Sequence, residues 1–431
     1  MNSSSVSPRN PLAPPSLASA DWFAWPETTK LFGVLTSKGI ETRAVGGAVR
    51  NTLLGRPVQE VDFASTATPE QVTELAERAG LKVVPTGIDH GTVTVIVGKR
   101  PFEVTTLRRD VETFGRRAKV AYTDDWAIDA GRRDFTMNAL YVSADGVLHD
   151  PLGGYGDIAE RRIRFIGNSV ERIREDYLRI LRFFRFNAQY GAPPYDAEGI
   201  AACVRERDGL EQLSAERVGA ELMQLLAAPG AGDALSAMFD YGLLVSLLAS
   251  APLLADFQHR TQIEQAMGAS PDPVLRLGAL AVIVPEDAER LGRRFRLPNA
   301  AVKRLDAIAS IRDLSAGCSE EAAKAALYRI GKDGYRDRVL TAWARSGDGP
   351  DDTRWRRQVE LPDHWKAPEF PVRGADLIAL GFSKGPRLGK ALKEIEGKWI
   401  AEGFVEGRAS LLEAAREILG KPKTKARERA S

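Results

Sequence analysis

The chain reads as an α+β protein: a mixed α/β amino-terminal part followed by an almost wholly helical remainder. Three observations predict this. From Asp21 to about Ile166, short β-branched runs alternate with helical patterns. Within that part, two alternating runs, Thr92 to Val97 and Phe102 to Leu107, are joined by Gly98-Lys99-Arg100-Pro101, a hairpin signal. After Gly167 the apolar residues fall at helical spacing. A length of 431 residues leaves room for several domains with ample core.

In chain order, the spacing predicts a helix over Pro26 to Lys38, with Pro26 suited to its first position. A short strand, Thr42 to Val45, runs into Gly46-Gly47 and then an apolar helical run with Ala48, Val49, Leu53 and Leu54. Glycines at a strand-to-helix turn let a phosphate approach the backbone closely, and Arg50 adds a charged donor in the first turn. The next strand is predicted over Val61 to Ser65. Glu60 and Asp62 lie two apart, which on a strand puts both on one face. A glycine turn alone is usually just a turn, and two acids are usually solvated surface. In close succession they fit magnesium-dependent nucleotidyl transfer, in which carboxylates hold metal ions that carry a triphosphate and activate a hydroxyl.

Thr68 is a cap for a helix over Pro69 to Ala79. Glu103, on the second hairpin strand, is either a third metal ligand or an edge acid facing water. Arg108 to Asp129 interleaves acids and bases with little period and is expected to be a mobile loop. Arg132-Arg133-Asp134, entering the run that continues through Asn138 to Leu140, is either a clamp on phosphate and ribose or a structural ion-pair set. Asp150-Pro151-Leu152-Gly153-Gly154 is a turn.

The most informative helix is predicted over Arg172 to Phe186. Ile173, Tyr177, Ile180 and Phe184 form an apolar stripe, opposite Arg172, Glu175, Asp176, Arg179 and Arg182. The arc is either a wet face with ion pairs or a base reader. For the second, Asp176 accepts and Arg179 donates, one turn apart. Cytosine and adenine each show an amino donor beside a ring-nitrogen acceptor. Guanine and uracil reverse that order and would leave groups unpaired.

Composition narrows the classes. A net charge of +2 gives no global field for nucleic acid, so any basic surface is local. No apolar run is long enough to span a membrane. Cys203 and Cys318 are far apart, which fits a reducing compartment; we expect a cytoplasmic protein. Residues 1–20, rich in Ser and Pro, are expected to be a disordered arm, and Lys421 to Arg429 a basic disordered end.

As a set, Gly46-Gly47-Ala48-Val49-Arg50, Glu60-Val61-Asp62, Arg132-Arg133-Asp134 and Glu175-Asp176-x-x-Arg179, followed by Arg182 and Arg185, resemble the class II tRNA nucleotidyltransferase (CCA-adding enzyme) and bacterial poly(A) polymerase family. Leu213-Ser214-Ala215-Glu216-Arg217 and the segment from Gly374-Ala375-Asp376-Leu377 to Gly389 extend the resemblance more weakly. It implies a polymerase-β-like nucleotidyltransferase head over 21–166 and an all-α neck (167–230), body (231–345) and tail (346–431), the tail contacting the tRNA elbow. It implies that Glu60 and Asp62 hold magnesium, and that Gly46, Gly47 and Arg50 hold the triphosphate. Arg132, Arg133, Asp134 and Asn138 would serve ribose and phosphates. Asp176, Arg179, Arg182 and Arg185 would bind the incoming CTP or ATP.

The family usually has Asp-x-Asp; here the first acid is Glu60, one methylene longer. The intact Arg108 to Asp129 segment favours addition of the terminal A. The four histidines, His90, His149, His259 and His364, offer no candidate for the phosphohydrolase domain that some members carry. The expected activity is addition of CCA to tRNA 3′ ends. Alternatives are a poly(A) polymerase and a catalytically weak RNA-binding protein. Arg290, Arg293, Arg294, Arg296, Lys303 and Arg304 are either a phosphate-facing surface or a solvated face.

Overall fold

The computed structural model describes residues 15–36, 39–114, 117–309 and 314–420. Of the arm read over 1–20, residues 1–14 lie outside the described residues, as does the basic end Lys421 to Arg429. Residues 15–20 are not a loose arm, since Leu17 is buried and its N–H donates to the Gly146 carbonyl (2.9 Å). The chain forms two compact units, Met1–Pro252 with Arg294–Arg296, and Leu253–Arg293 with Leu297–Ser431.

The first unit begins with α1 (Pro26–Leu35), β1 (Thr42–Val45), α2 (Gly47–Leu53), β2 (Asp62–Ser65) and α3 (Pro69–Arg78). Thr68 caps α3 with Gln71 in a reciprocal capping box, as its position predicts. Then follow β3 (Lys82–Gly87), β4 (Thr92–Val97) and β5 (Arg100–Thr106). β4 and β5 are the predicted hairpin, with Arg100 and Pro101 inside the second strand rather than in the turn. β3 has no strong alternation in sequence and was not expected.

Arg108 to Asp129 is not a loop. It forms β6 (Arg108–Phe114) and β7 (Arg117–Tyr122), an antiparallel ribbon, and then opens α4 (Trp126–Gly131), which Asp125 caps. Local antiparallel pairing satisfies the backbone of this stretch, and the charged residues interleaved through it obscure a regular hydrophobic period. After β8 (Tyr141–Val142) and β9 (Leu148–His149), the main sheet closes with strand order β3-β4-β5-β2-β1-β8-β9. β2 pairs antiparallel with β1 and parallel with β5, so the ends of β1, β2 and β5 share one region.

Helices α5 (Gly154–Ala159), α6 (Ser169–Glu175), α7 (Leu178–Tyr190), α8 (Ala197–Arg205), α9 (Ala215–Ala227), α10 (Ala231–Asp240) and α11 (Leu243–Leu248) complete this unit. Instead of one helix over Arg172 to Phe186, α6 and α7 meet at a break: Asp176 is extended (φ −156°, ψ 103°), and its carboxylate accepts from the Leu178 N–H. An Asp competes with the helix for local backbone donors, which places it at a helix boundary. Of the predicted stripe, Ile173, Ile180 and Phe184 are buried and Tyr177 is half-buried. A cluster of Phe135, Phe165, Phe183 and Phe186 (Phe135 to Phe186 centroids 4.9 Å) ties the bridged segments at Phe135 and Phe165 to α7. Helices α10 and α11, read as body, belong to the first unit, where α10 packs on α7 and α9.

Among its described residues the second unit forms helices and no strand, from Leu254 to Gly420. One core gathers Tyr335, Trp343 and Trp355; another gathers Leu377, Ile395, Trp399 and Leu411. Arg304 is held here by Asp272 and Asp337, and Arg290 by Asp287. In the first unit Arg294 donates to the Leu247 and Ser246 carbonyls. These three cations thus have partners within the protein.

Candidate active site

A cleft of about 440 Å³ in the first unit is lined by Gly46, Gly47, Arg50, Asp62, Arg133, Asp134, Asn138, Asp176, Leu178, Arg179, Arg182, Phe186 and Arg217. Ten of the sequence-predicted residues thus meet in one place. Four do not line it: Glu60, Glu103, Arg132 and Arg185.

The glycine turn is built as the sequence requires. Gly46 has φ 71° and ψ −118°, a backbone region open mainly to glycine, and Gly47 begins α2. Arg50 lies beneath the turn: a Cβ on Gly47 would stand 3.8 Å from its Nη2. Asp62 opens β2 and lines the cleft. One residue further on, Phe63 of β2 pairs with Val104 of β5, so Glu103 is the lateral neighbour of Asp62 on the same face. Although Asp62 is exposed at the cleft mouth, crowding by the protein pushes its pKa up to about 6, aided by the carboxylates of Glu103 and then Glu60. Arg133 opposes the rise.

Glu60 precedes the strand, which starts at Asp62. The two-residue alternation used to place Glu60 beside Asp62 therefore does not apply, although Glu60 is near enough to be felt. Among the described residues, no three His, Cys, Asp or Glu side chains gather tightly enough to hold a metal ion. Glu60, Asp62 and Glu103 are neighbours rather than a closed ligand set. Asp62 and Glu103, side by side on β2 and β5, are nevertheless hard oxygen donors of the chemistry a divalent cation takes.

The basic wall is organised by carboxylates. Buried Asp129 accepts from Arg132 Nε (2.8 Å), Arg133 Nη2 (3.1 Å) and the Tyr141 hydroxyl (2.9 Å). Burial alone would raise its pKa, but Arg133 and Arg132 more than offset this and hold it below the ordinary range. Arg133 faces the cleft; Arg132 is fixed behind it. Asp134 accepts from Arg182 Nε (2.9 Å) and from Asn138 Nδ2 (2.9 Å). Arg172 Nη2 donates to the Gly131 and Arg133 carbonyls, fastening α6 to the same segment. The Arg132-Arg133-Asp134 alternatives thus merge: the ion pairs are structural, and they aim Arg133 at the cleft.

Asp176 and Arg179 both line the cleft but are not paired with each other. Asp176 bonds Arg217 Nη2 at 2.6 Å, while Arg179 Nη1 bonds Glu175 and the Arg172 carbonyl. The helix break separates them. Arg185 turns away to buried Glu221 on α9. Its predicted contact with nucleotide is not supported by these positions. Sequence reasoning missed Arg217, Asp129 and Tyr190 as supports. Arg217 lies in the quoted Leu213–Arg217 motif, and Asp129 precedes the two arginines at helical three- and four-residue spacing; Tyr190 carries no such signal.

Comparison with known proteins gives the family. Residues 42–164 match the family described as Poly A polymerase head domain, and residues 196–257 match the probable RNA and SrmB-binding site of polymerase A. The CCA tRNA nucleotidyltransferase 1, mitochondrial, of Danio rerio is 35% identical over 381 residues, covering 86% of each chain. A CCA-adding enzyme of Geobacillus stearothermophilus is 34% identical over 385 residues, covering 86% of this chain and 91% of its own. The fold matches the crystal structure of the Bacillus stearothermophilus CCA-adding enzyme in complex with CTP, with TM-score 0.71 and 28% identity over 91% of this chain and 97% of that one. The α+β reading and the polymerase-type head hold, and the chain belongs to the CCA-adding enzyme family of class II tRNA nucleotidyltransferases.

Proposed function

We propose that this chain adds CCA to the 3′ end of tRNA from CTP and ATP, without a nucleic acid template. The reading rests on one observation: the glycine turn, the Asp62 carboxylate and the Asp176/Arg179 base readers all face a single cleft. Gly46 and Gly47 give the triphosphate access to the backbone, and Arg133, Arg179 and Arg182 supply donors. Asp62, Glu60 and Glu103 would hold magnesium, which supplies charge neutralisation for the triphosphate and activation of the attacking hydroxyl. Asp176 with Arg179 selects C and A by the donor and acceptor order of each base.

The head–neck–body–tail division, contact of the tail with the tRNA elbow, and a cytoplasmic location belong to the same proposal. The last is supported by two free cysteines; among the described residues no helix is long and apolar enough to cross a membrane. Incubating the protein with tRNA lacking its 3′ CCA, magnesium and each nucleotide singly tests the function. We expect C to be added from CTP and then a single A from ATP. Repeated A without prior C would mark a poly(A) polymerase. Binding of tRNA without incorporation would mark an RNA-binding protein.

A further inference from the structure

Of the five arginines lining the cleft, four are paired with a carboxylate: Arg133 with Asp129, Arg179 with Glu175, Arg182 with Asp134 and Arg217 with Asp176. Arg50 has no such ion pair. Its donors go to neutral oxygens: Nε to Asn51 Oδ1 (3.2 Å), Nη1 to Asn138 Oδ1 (2.7 Å), and Nη2 to both Asn51 Oδ1 (3.0 Å) and the Tyr190 hydroxyl (2.8 Å). Its guanidinium also lies 4.1 Å from the Tyr190 ring centroid, and Arg56 stands 4.9 Å from the same ring. A buried cation without a carboxylate persists only where neutral acceptors and ring faces hold it. Its charge is therefore left over for whatever anion enters above the glycine turn.

We propose that Tyr190, at the end of α7, is a positioning residue for the incoming triphosphate. It fixes Arg50 beneath Gly47, so that, among the described residues, the cleft-lining arginine without a carboxylate ion pair faces the phosphates. Tyr190 does not line the cleft and touches no reacting atom. It acts through Arg50, and it couples the neck helix that reads the base to the head turn that holds the phosphates. This inference rests on the nucleotidyltransferase reading above.

The test compares wild type with Tyr190→Phe, which keeps the ring and loses the hydroxyl, and Tyr190→Leu, which loses both. The readouts are KM for CTP, ATP and tRNA, and binding of inorganic pyrophosphate by calorimetry. We expect Tyr190→Phe to raise the KM for CTP and for ATP by the same factor, roughly tenfold, the scale of a hydrogen bond to a charged group. Pyrophosphate binding should weaken by that factor too, with KM for tRNA unchanged, and Tyr190→Leu should go further. Unchanged KM for CTP and ATP in Tyr190→Phe, even with a lower melting temperature, would overturn the inference. So would a rise in KM while pyrophosphate binding holds, since that effect would lie with the base. If Tyr190→Leu does not fold, Tyr190→Phe alone decides. A wild-type protein that incorporates nothing would sink the function reading instead, and its pyrophosphate affinity against that of Tyr190→Phe would still judge Tyr190.

Discussion

Asp62 and Glu103 stand side by side on parallel strands, each one residue before the Phe63–Val104 pair. The sheet thereby brings a second acid to Asp62 from a strand about forty residues later, while Glu60, two residues away in sequence, lies outside the strand. Partial removal from water and, next, repulsion by the Glu103 carboxylate push the Asp62 pKa up to about 6. The folded chain thus holds this proton more tightly than the unfolded chain does. In the absence of metal, ionised Asp62 opposes folding at neutral pH, and that opposition fades as pH falls through about 6. Asp62→Asn should therefore raise the melting temperature at pH 7 and give a smaller gain at pH 5. An equal gain at both would refute the shift. Nucleotide incorporation by the wild type should climb as pH rises through about 6, and excess magnesium should move that rise to lower pH by competing with the proton.

The two glutamates should differ. Glu103 acts on Asp62 more strongly than Glu60 does. Glu103→Gln should bring the Asp62 pKa down further than Glu60→Gln, measured by carboxyl NMR titration of the metal-free protein. With magnesium, Asp62→Ala should abolish incorporation while tRNA binding survives. Both Gln variants should cost turnover if both acids serve the metal. A silent Glu60→Gln beside a crippled Glu103→Gln would remove Glu60 from the site.

Much of this was legible in the sequence because it depends on local chemistry. The glycine turn, the Thr68 capping box and the β4–β5 hairpin each follow from residues a few positions apart. What escaped depends on contacts between distant segments or on competition within a helix. Asp176 reads as helical by period, yet its carboxylate bonds the Leu178 N–H and breaks the helix. Arg185 lies in a run of arginines that otherwise face the cleft, yet Glu221, far along the chain, draws it away. The β6–β7 ribbon is signalled only weakly, because acids and bases are interleaved through both of its strands. No rule of spacing could have named Tyr190 as the partner of Arg50.

Base choice should respond to the separation of Asp176 from Arg179. Arg217 holds Asp176, and Glu175 holds Arg179, so each reader has its own brace. Asp176→Ala should lose discrimination against UTP and GTP by about 1–3 kcal/mol, the scale of a bidentate base contact. Arg217→Ala should relax selectivity in the same direction but less, because Asp176 remains and only its orientation is freed. Competition assays with all four nucleotides read both effects. A wild-type nucleotide preference in Asp176→Ala, with only a lower melting temperature, would show the helix junction to be structural.

Gly154 should tolerate no side chain. A Cβ there would fall 2.2 Å from the Thr136 carbonyl oxygen, and backbone cannot swing aside as a side chain would. The crowded turn, Thr136–Asn138, carries the Asn138 that bonds Arg50 and Asp134. Gly154→Ala should cost about 1–3 kcal/mol of stability, as overpacking does, and raise KM for both nucleotides. Denaturant melts together with kinetics check it. A variant with wild-type stability would mean that the turn shifts freely.

Asp134 joins Arg182 of α7 to Asn138 of the head turn. Burial would raise its pKa, but the Arg182 charge, the Asn138 and Arg182 hydrogen bonds and the Phe135 N–H outweigh that and hold it below the ordinary carboxylate range. A lowered carboxylate stabilises the fold at neutral pH, and that stability is lost only as pH falls below the unfolded value of about 4. Asp134→Ala removes the acceptor and leaves the Arg182 guanidinium, two-thirds buried, without its carboxylate. The loss should approach about 3 kcal/mol, the low end for breaking a buried pair. Arg182→Met should cost less, because no guanidinium is then left to find water, although Asp134 keeps its Asn138 and Phe135 donors. Combining the two changes should cost less than the sum of each alone, the mark of residues in direct contact. Additive losses in such a double-mutant cycle would show that the pair does not fasten α7 to the head.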